Sequence, residues 1–200
     1  MPSRRHTRPP RPRNAAATRA AIVDSARRAF ARAGYDGAGV REIAAGAGVT
    51  AMLVNRYFGS KEQLFAEAVA ATMADPTILR PENLASEKLA EIIAATLVDI
   101  TRPDAGPLEG FLIALNSASS TRAAEIARPQ IEQGHQRVLS AALKGPLAAE
   151  RAALILSIVA GLQMMRQMLK LAPLAEARRA DLARLLTPVF KALVTPATDR

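Results

Sequence analysis

The chain has 200 residues, with 27 Lys and Arg against 18 Asp and Glu, for a net charge of +9 at pH 7. Half of the residues are apolar but only 4% are aromatic, so small aliphatic side chains must build the core, as is typical of helices. There is no Cys, and the only histidines are His6 and His135, which excludes a disulfide framework and a Cys- or His-rich metal site. No cofactor is expected.

Two further absences bear on localisation. The longest strongly apolar run, 152–162, is shorter than the ~18 residues that a membrane span needs. The N-terminus has no apolar signal core. The sequence therefore predicts a cytoplasmic protein with no membrane partner.

The positive charge is concentrated in the first third of the chain. Residues 1–65 hold twelve basic and four acidic residues, whereas residues 66–200 hold 15 basic and 14 acidic residues. This asymmetry is typical of a polyanion-binding module joined to a neutral body. The alternative is a solvated basic tail without a partner.

The first elements in chain order are an arm and a helix. Residues 1–14, MPSRRHTRPPRPRN, are basic and Pro-rich, and we expect them to be disordered. From Ala15 to Ala33 apolar residues recur at a spacing of 3.6, which predicts a helix. Gly34 is expected to end that helix as a left-handed cap.

Two short helices around a glycine-containing turn follow. The first is VREIAA after Gly39, and the second is AMLVNRYF, which Thr50 would cap at its N-terminus. This arrangement predicts a helix-turn-helix. Its expected core is Val40, Ile43, Ala44, Val49, Leu53 and Phe58.

A fourth helix is expected to run from Ser60 to about Ala74. Gly59 breaks the preceding helix, and Ser60 with Gln63 has the spacing of a capping box.

Residues 18–69 resemble the DNA-binding domain of the TetR family of bacterial one-component transcriptional regulators. The chain departs from the family pattern at Gly39, where Thr or Ser is usual, and at Met52 and Asn55, which replace a common Gly and Tyr. The resemblance implies an all-α fold. An N-terminal three-helix DNA-binding domain (15–65) would be joined through helix four to a larger effector-binding and dimerisation domain (66–200). The motifs that carry it are Ala29-Phe30, Gly34-Tyr35, Val40-Arg41-Glu42-Ile43-Ala44, Ala47-Gly48-Val49-Thr50, Arg56-Tyr57-Phe58 and Ser60-Lys61-Glu62-Gln63-Leu64-Phe65.

Helix three is the expected reading helix, which would place its exposed side chains against base edges in the major groove. Asn55 has the hydrogen-bonding groups to pair with adenine, and Lys61 at the start of helix four is expected to bind a phosphate. Tyr57 resembles the phosphate-contacting tyrosine of the family. The arm would lie in a minor groove. The predicted DNA contacts are Thr50, Ala51, Asn55, Arg56, Tyr57, Lys61, Arg41 and Thr18, with Arg4, Arg5, Arg8, Arg11 and Arg13 in the arm.

The remaining sequence predicts five helices. They span about 83–101, 105–118, 121–144 with a break at Pro129, 147–171, and 174–194 with a kink near Pro188. The helix at 147–171 is apolar almost all round, which predicts burial on every face. A homodimer through the helices at 147–171 and 174–194 follows, and with it a palindromic operator. The alternative is a monomer in which this helix is central.

The resemblance also implies a small-molecule effector pocket in the body. The predicted function is that of a transcriptional repressor, released from double-stranded operator DNA by this effector. A non-specific or architectural DNA-binding protein without an effector is the alternative, and the sequence does not separate repression from activation. An enzyme is not favoured because no catalytic constellation is present. The candidate pocket residues are Phe111, Asn116, His135, Gln163 and Met164.

Overall fold

A computed structural model describes residues 15–74 and 76–195, and within these ranges every regular element is a helix. The prediction of an all-α fold is confirmed. The basic arm and its five arginines lie outside the described residues.

The first four helices follow the predicted order. They are α1 (Ala15–Gly37), α2 (Val40–Gly46), α3 (Ala51–Phe58) and α4 (Lys61–Ala71). Gly34 has the expected positive φ, 67°, with ψ at −178°, but helical residues continue beyond it to Gly37. Gly34 therefore interrupts the helix as predicted, and the residues that follow it to Gly37 form a further turn beyond the kink. Helix α4 ends three residues before the predicted Ala74.

The N-terminal caps are formed by the predicted side chains. Thr50 Oγ1 accepts from the Leu53 N–H at 3.3 Å, and Ser60 Oγ accepts from the Gln63 N–H at 3.1 Å. The second hydrogen bond of the predicted capping box, from the Ser60 N–H to the Gln63 side chain, is wrong. The Ser60 N–H donates instead to the Phe58 carbonyl at 2.8 Å.

The first core lies among α1 to α4. The Phe30 and Phe65 rings meet edge to face, with centroids 4.9 Å apart. Ile43, Ala44 and Phe58 are buried as predicted, and Val40 and Val49 are half-buried against the core. Leu53 is a wrong assignment, because Val54 takes the buried position one residue later.

The body divides into more elements than the five predicted helices. Several predicted helices are interrupted, and two turns are π-helical. The elements are α5 (Pro81–Leu84), α6 (Leu89–Ile100), α7 (Glu109–Asn116), α8 (Thr121–Ile131), a first π segment (Glu132–Gln136), α9 (Arg137–Ala142), α10 (Ala148–Leu162), a second π segment (Gln163–Met168), α11 (Ala172–Ala175) and α12 (Arg179–Val194).

The break predicted at Pro129 lies instead at Gly134. Helix α8 runs across Pro129, and α12 likewise runs across Pro188. Gly134 has non-helical angles, φ −88° and ψ −111°, and a Cβ added there would lie 2.5 Å from Met73 Sδ. The chain bends where its backbone must pass close to the end of α4.

A second core forms in the body, where α6 packs against α12. Its fully buried members include Ile93, Leu97, Leu139, Ile155 and Phe190.

Polar side chains of the second π segment anchor it to the end of α6. Arg166 is 2% exposed and donates to the carbonyls of Val98 at 2.6 Å and Leu174 at 3.0 Å. Gln167 Nε2 donates to the Ile100 carbonyl at 3.0 Å. The bonds to Val98 and Ile100 satisfy carbonyl groups at the C-terminus of α6 that have no partner within the helix, and the bond to Leu174 reaches α11.

The opposite side of α10 and of the second π segment is exposed in the single chain, so burial on every face requires the predicted dimer partner and stays a prediction. Leu154, Ser157, Gly161, Met165 and Met168 recur every three or four residues and are all exposed. We call this set the α10 stripe. Ala148–Met168 is long and apolar enough to cross a membrane by length and composition alone, contrary to the estimate from the apolar run. The other face of this segment forms hydrogen bonds with the body through Arg166 and Gln167.

Helix α1 is fastened to α7 by what we call the α1–α7 clamp. Asn116 Nδ2 donates to the Ala31 carbonyl at 2.6 Å, and the Tyr35 N–H donates to Ser117 Oγ at 3.0 Å. A Cβ added at Gly34 would lie 2.7 Å from the carbonyl carbon of Asn116 and closer still to its oxygen. Glycine is therefore required where the two backbones meet.

Candidate nucleic-acid interface and internal cavity

Helix α3 has one buried and one exposed face. Val54 and Phe58 point into the first core, whereas Met52, Asn55 and Arg56 are exposed. Met52 is 82% exposed. The expectation that Ala51 is exposed is wrong, because it is half-buried and packs against the core. Sequence reasoning missed Met52, although the four-residue spacing of Val54 and Phe58 indicates this outer face.

The arginines of α1 form ion pairs with carboxylates, whereas those of α2 and α3 form none within the described part of the chain. In α1, Arg19, Arg27, Arg28 and Arg32 pair with Glu67, Glu109, Asp24 and Glu42, respectively. Arg41 and Arg56 are exposed and have no carboxylate partner among the described residues. Within the helix-turn-helix, uncompensated positive charge therefore lies on both α2 and α3, which is an arrangement that attracts a polyanion.

Lys61 is the first residue of α4. Its Nζ is 4.8 Å from the centroid of the Tyr35 ring and 3.5 Å from the Asp36 carbonyl oxygen. Thr50 is exposed, and Tyr57 and Thr18 are half-buried. A phosphate role for these residues stays a prediction.

Glu62 occupies part of the helix-four N-terminus that we expected to bind phosphate. Its pKa is lowered mainly because its carboxylate accepts from its own backbone N–H, and next because it accepts from Ser60. Burial, and secondarily the negative charge of Glu62, raises the pKa of Tyr35. A phosphate at this terminus would have to displace or share the position of the Glu62 carboxylate.

A cavity of about 1300 Å³ lies between the first four helices and the body. Phe65 and Val69 of α4 form one wall, Ile113 of α7 forms another, and Ile155 and Val159 of α10 face them. Its mainly apolar walls are typical of a small-molecule site, and its volume exceeds the ~300–1,000 Å³ of most such sites. Because α4 forms one of its walls, a bound molecule would contact the helix that follows the helix-turn-helix.

Three of the five predicted pocket residues line this cavity, namely Phe111, His135 and Gln163. Gln163 Oε1 accepts from the Leu108 N–H at 3.3 Å. His135 is half-buried instead of being at the surface, and burial lowers its pKa.

The other two predicted residues do not line it. The side chain of Asn116 belongs to the α1–α7 clamp, and Met164 is half-buried away from the cavity wall. Within residues 15–74 and 76–195, no group of three or more His, Asp or Glu side chains could hold a metal ion.

The fold and the site together define a class. A helix-turn-helix with unpaired cations around its exposed helix, followed by a helical body with a large cavity, is the architecture of a bacterial DNA-binding transcriptional regulator. Residues 22–68 match the model for bacterial regulatory proteins of the tetR family, and residues 87–194 match that for the tetracyclin repressor-like C-terminal domain. The chain belongs to the TetR family.

Solved structures agree with this fold. A TetR-family regulator from Streptomyces coelicolor A3 is 25% identical, with a TM-score of 0.58, and the match covers 93% of this chain and 99% of that one. A TetR-family regulator from Rhodococcus sp. is 16% identical, with a TM-score of 0.68 and coverage of 90% and 100%. The fatty acid degradation regulator FadR from Bacillus halodurans is 17% identical, with a TM-score of 0.61 and coverage of 92% and 97%. A search of curated proteins finds no match.

Proposed function

We propose that the protein is a dimeric repressor that binds a palindromic DNA operator through α3 and is released by a small-molecule effector. The observation that carries the DNA-binding part is the exposed face of α3, with Asn55 and Arg56 outward and no carboxylate pairing Arg41 or Arg56 among the described residues. Residues 15–65 would form the DNA-binding domain, and residues 66–200 the effector-binding and dimerisation domain.

The α10 stripe supports the dimer. Helix α12 packs against α10 and also exposes large apolar side chains, with Leu185 66% and Val189 45% exposed. Soluble proteins rarely leave so many large apolar side chains together in water, and small residues such as Gly161 let two helices approach closely. A twofold axis here would present two copies of α3 to half-sites about one DNA turn, ~34–36 Å, apart.

The cavity supports an effector. Its walls include α4, so a ligand that prefers one separation of α4 and α8 would shift the position of the DNA-binding helices. The apolar walls favour a mainly apolar ligand. Arg27, the cavity-lining cation on α1, is already paired with Glu109. Membership of a family of transcriptional regulators supports three parts of the proposal. These are that the protein binds DNA, that it is not an enzyme and that it acts in the cytoplasm.

The first experiment is an affinity selection of random duplex DNA by the full-length protein, followed by fluorescence anisotropy of the selected duplex and a shuffled duplex. We expect an enriched palindrome, bound by two subunits with a preference of about 10³-fold or more. Equal and steeply salt-dependent binding of both duplexes would instead support the architectural alternative.

Substitution then tests the surface. Arg41→Gln and Arg56→Gln should each flatten the log–log salt dependence by about 0.9 per subunit if each residue binds one phosphate. Arg28→Gln is the matched control, because Arg28 is exposed but paired with Asp24. Unchanged slopes in both test variants would contradict a phosphate role.

The effector is tested by a thermal-shift screen of apolar compounds, with release of the selected operator as the second readout. Val159→Phe should narrow the cavity at one wall and weaken both the shift and the release, while leaving operator binding intact. Val138→Phe is the control, since Val138 is 43% exposed and does not line the cavity. A compound that releases the operator equally from both variants would act elsewhere.

A further inference from the structure

Met52 is a large apolar side chain placed where water should surround it. At 82% exposure it is the most exposed large hydrophobic residue in the described part of the chain. It lies in the first turn of α3, and Asn55 and Arg56 follow it by three and four residues on the same face. The face that presents polar groups for base edges therefore also presents an apolar one.

Packing within the subunit does not account for Met52. The helix is held by Val54 and Phe58, and Met52 is absent from both hydrophobic cores. Thr50 caps the N-terminus of α3 and Gly59 caps its C-terminus, so Met52 is not needed at either end of the helix. Its side chain is unbranched and flexible, and it gains burial only when a partner covers α3.

The surroundings favour DNA as that partner. Arg41 and Arg56 lack carboxylate partners in the described ranges, and Arg56 lies on the same face as Met52. In the major groove the base edges present hydrogen-bonding groups, and the apolar group available to an aliphatic side chain is the C5-methyl of thymine.

We propose that Met52 is a specificity-determining residue that reads a thymine methyl group in each half-site of the operator. The inference rests on the proposed function, since it requires α3 to enter the major groove. Met52 would bury its thioether end against the methyl group, while Asn55 and Arg56 make the polar contacts on either side of it.

The test replaces single thymines of the selected duplex by deoxyuridine, which removes only the methyl group. Affinities of the wild type and of Met52→Ala are measured by fluorescence anisotropy for each replacement. Burial of one methyl group predicts that the wild type loses about fourfold per half-site at one thymine position. Met52→Ala should bind the unmodified duplex more weakly and lose no further affinity at that position.

Controls separate this outcome from others. Val138→Ala, an exposed apolar truncation on α9, should retain the full methyl dependence. Met52→Leu should restore part of it. Because Met52 is exposed, Met52→Ala should melt at the wild-type temperature.

Each result decides something. If every deoxyuridine affects the wild type and Met52→Ala equally, or if Met52→Ala weakens all duplexes by the same factor, the inference is overturned and Met52 contacts the DNA backbone or nothing. If the random selection enriches no sequence at all, it is the proposed sequence-specific function that fails.

Discussion

Replacing Gly34 by Ala tests whether the α1–α7 clamp depends on backbone contact. Gly48→Ala is the matched control, because Gly48 also has a positive φ, 66°, but a Cβ there meets nothing within 4 Å. A positive φ costs an L-residue about 1–2 kcal/mol, so Gly48→Ala should lose roughly that amount. At Gly34 the added Cβ would also overlap the Asn116 carbonyl group.

That overlap sets the size of the expected difference. A Cβ 2.7 Å from a backbone carbonyl carbon cannot be relieved by a side-chain rotation, so α7 must move. Overpacking of this kind adds about 1–3 kcal/mol. The two costs together give about 2–5 kcal/mol for Gly34→Ala. At roughly 2–4 °C per kcal/mol for a chain of this size, Tm should fall by about 4–20 °C.

The assay is thermal and urea denaturation of the full chain, followed by circular dichroism. Adding Asn116→Ala to Gly34→Ala should not restore Tm, since the obstruction is the backbone of Asn116. Equal losses of Tm in Gly34→Ala and Gly48→Ala would refute the reasoning. So would rescue by the second substitution.

Three other substitutions test separate parts of the body. Arg166→Met should cost about 2–4 kcal/mol of unfolding free energy in urea, because it leaves buried carbonyl groups unpaired, whereas the exposed Arg178→Met should cost little. Burial lowers the pKa of His135 in the folded state, so stability should be greatest above about pH 6.5 and decline as pH falls below it. His135→Asn should flatten that decline in Tm, and an identical decline would argue against it. Leu185→Glu should yield monomers in sedimentation velocity, whereas Val138→Glu, on α9 and 43% exposed in the wild type, should not.

The helix-turn-helix was predictable because its limits are set by local chemistry. Thr50 and Ser60 each cap a helix through their own hydroxyl groups, and Gly34 adopts the positive φ expected of it. The assignment of faces failed by one residue, placing Leu53 inside. In an eight-residue helix, Leu53 and Val54 both satisfy an apolar pattern, and tertiary packing decides between them.

The body was less predictable because long-range contacts determine its breaks. The non-helical angles fall at Gly134, which lies against the side chain of Met73, a residue distant in sequence, whereas Pro129 is accommodated within α8. Similarly, the apolar residues around Arg166 did not indicate that this arginine is buried. Its hydrogen-bond partners include the Val98 carbonyl near the C-terminus of α6. The cavity could be anticipated only through the family resemblance, and Asn116 was assigned to it although it fastens α7 to α1.

The Gln163–Leu108 hydrogen bond connects the cavity to the helix that carries the α10 stripe. Gln163 lines the cavity and follows directly on the helix that carries the α10 stripe, and Leu108 immediately precedes α7. If the stripe joins two subunits, a ligand that alters this bond changes the free energy of subunit association, and by reciprocity association changes the ligand affinity. The effector concentration needed for release would then depend on the concentration of the protein itself. A cell that makes more of the regulator would therefore respond at a different effector concentration.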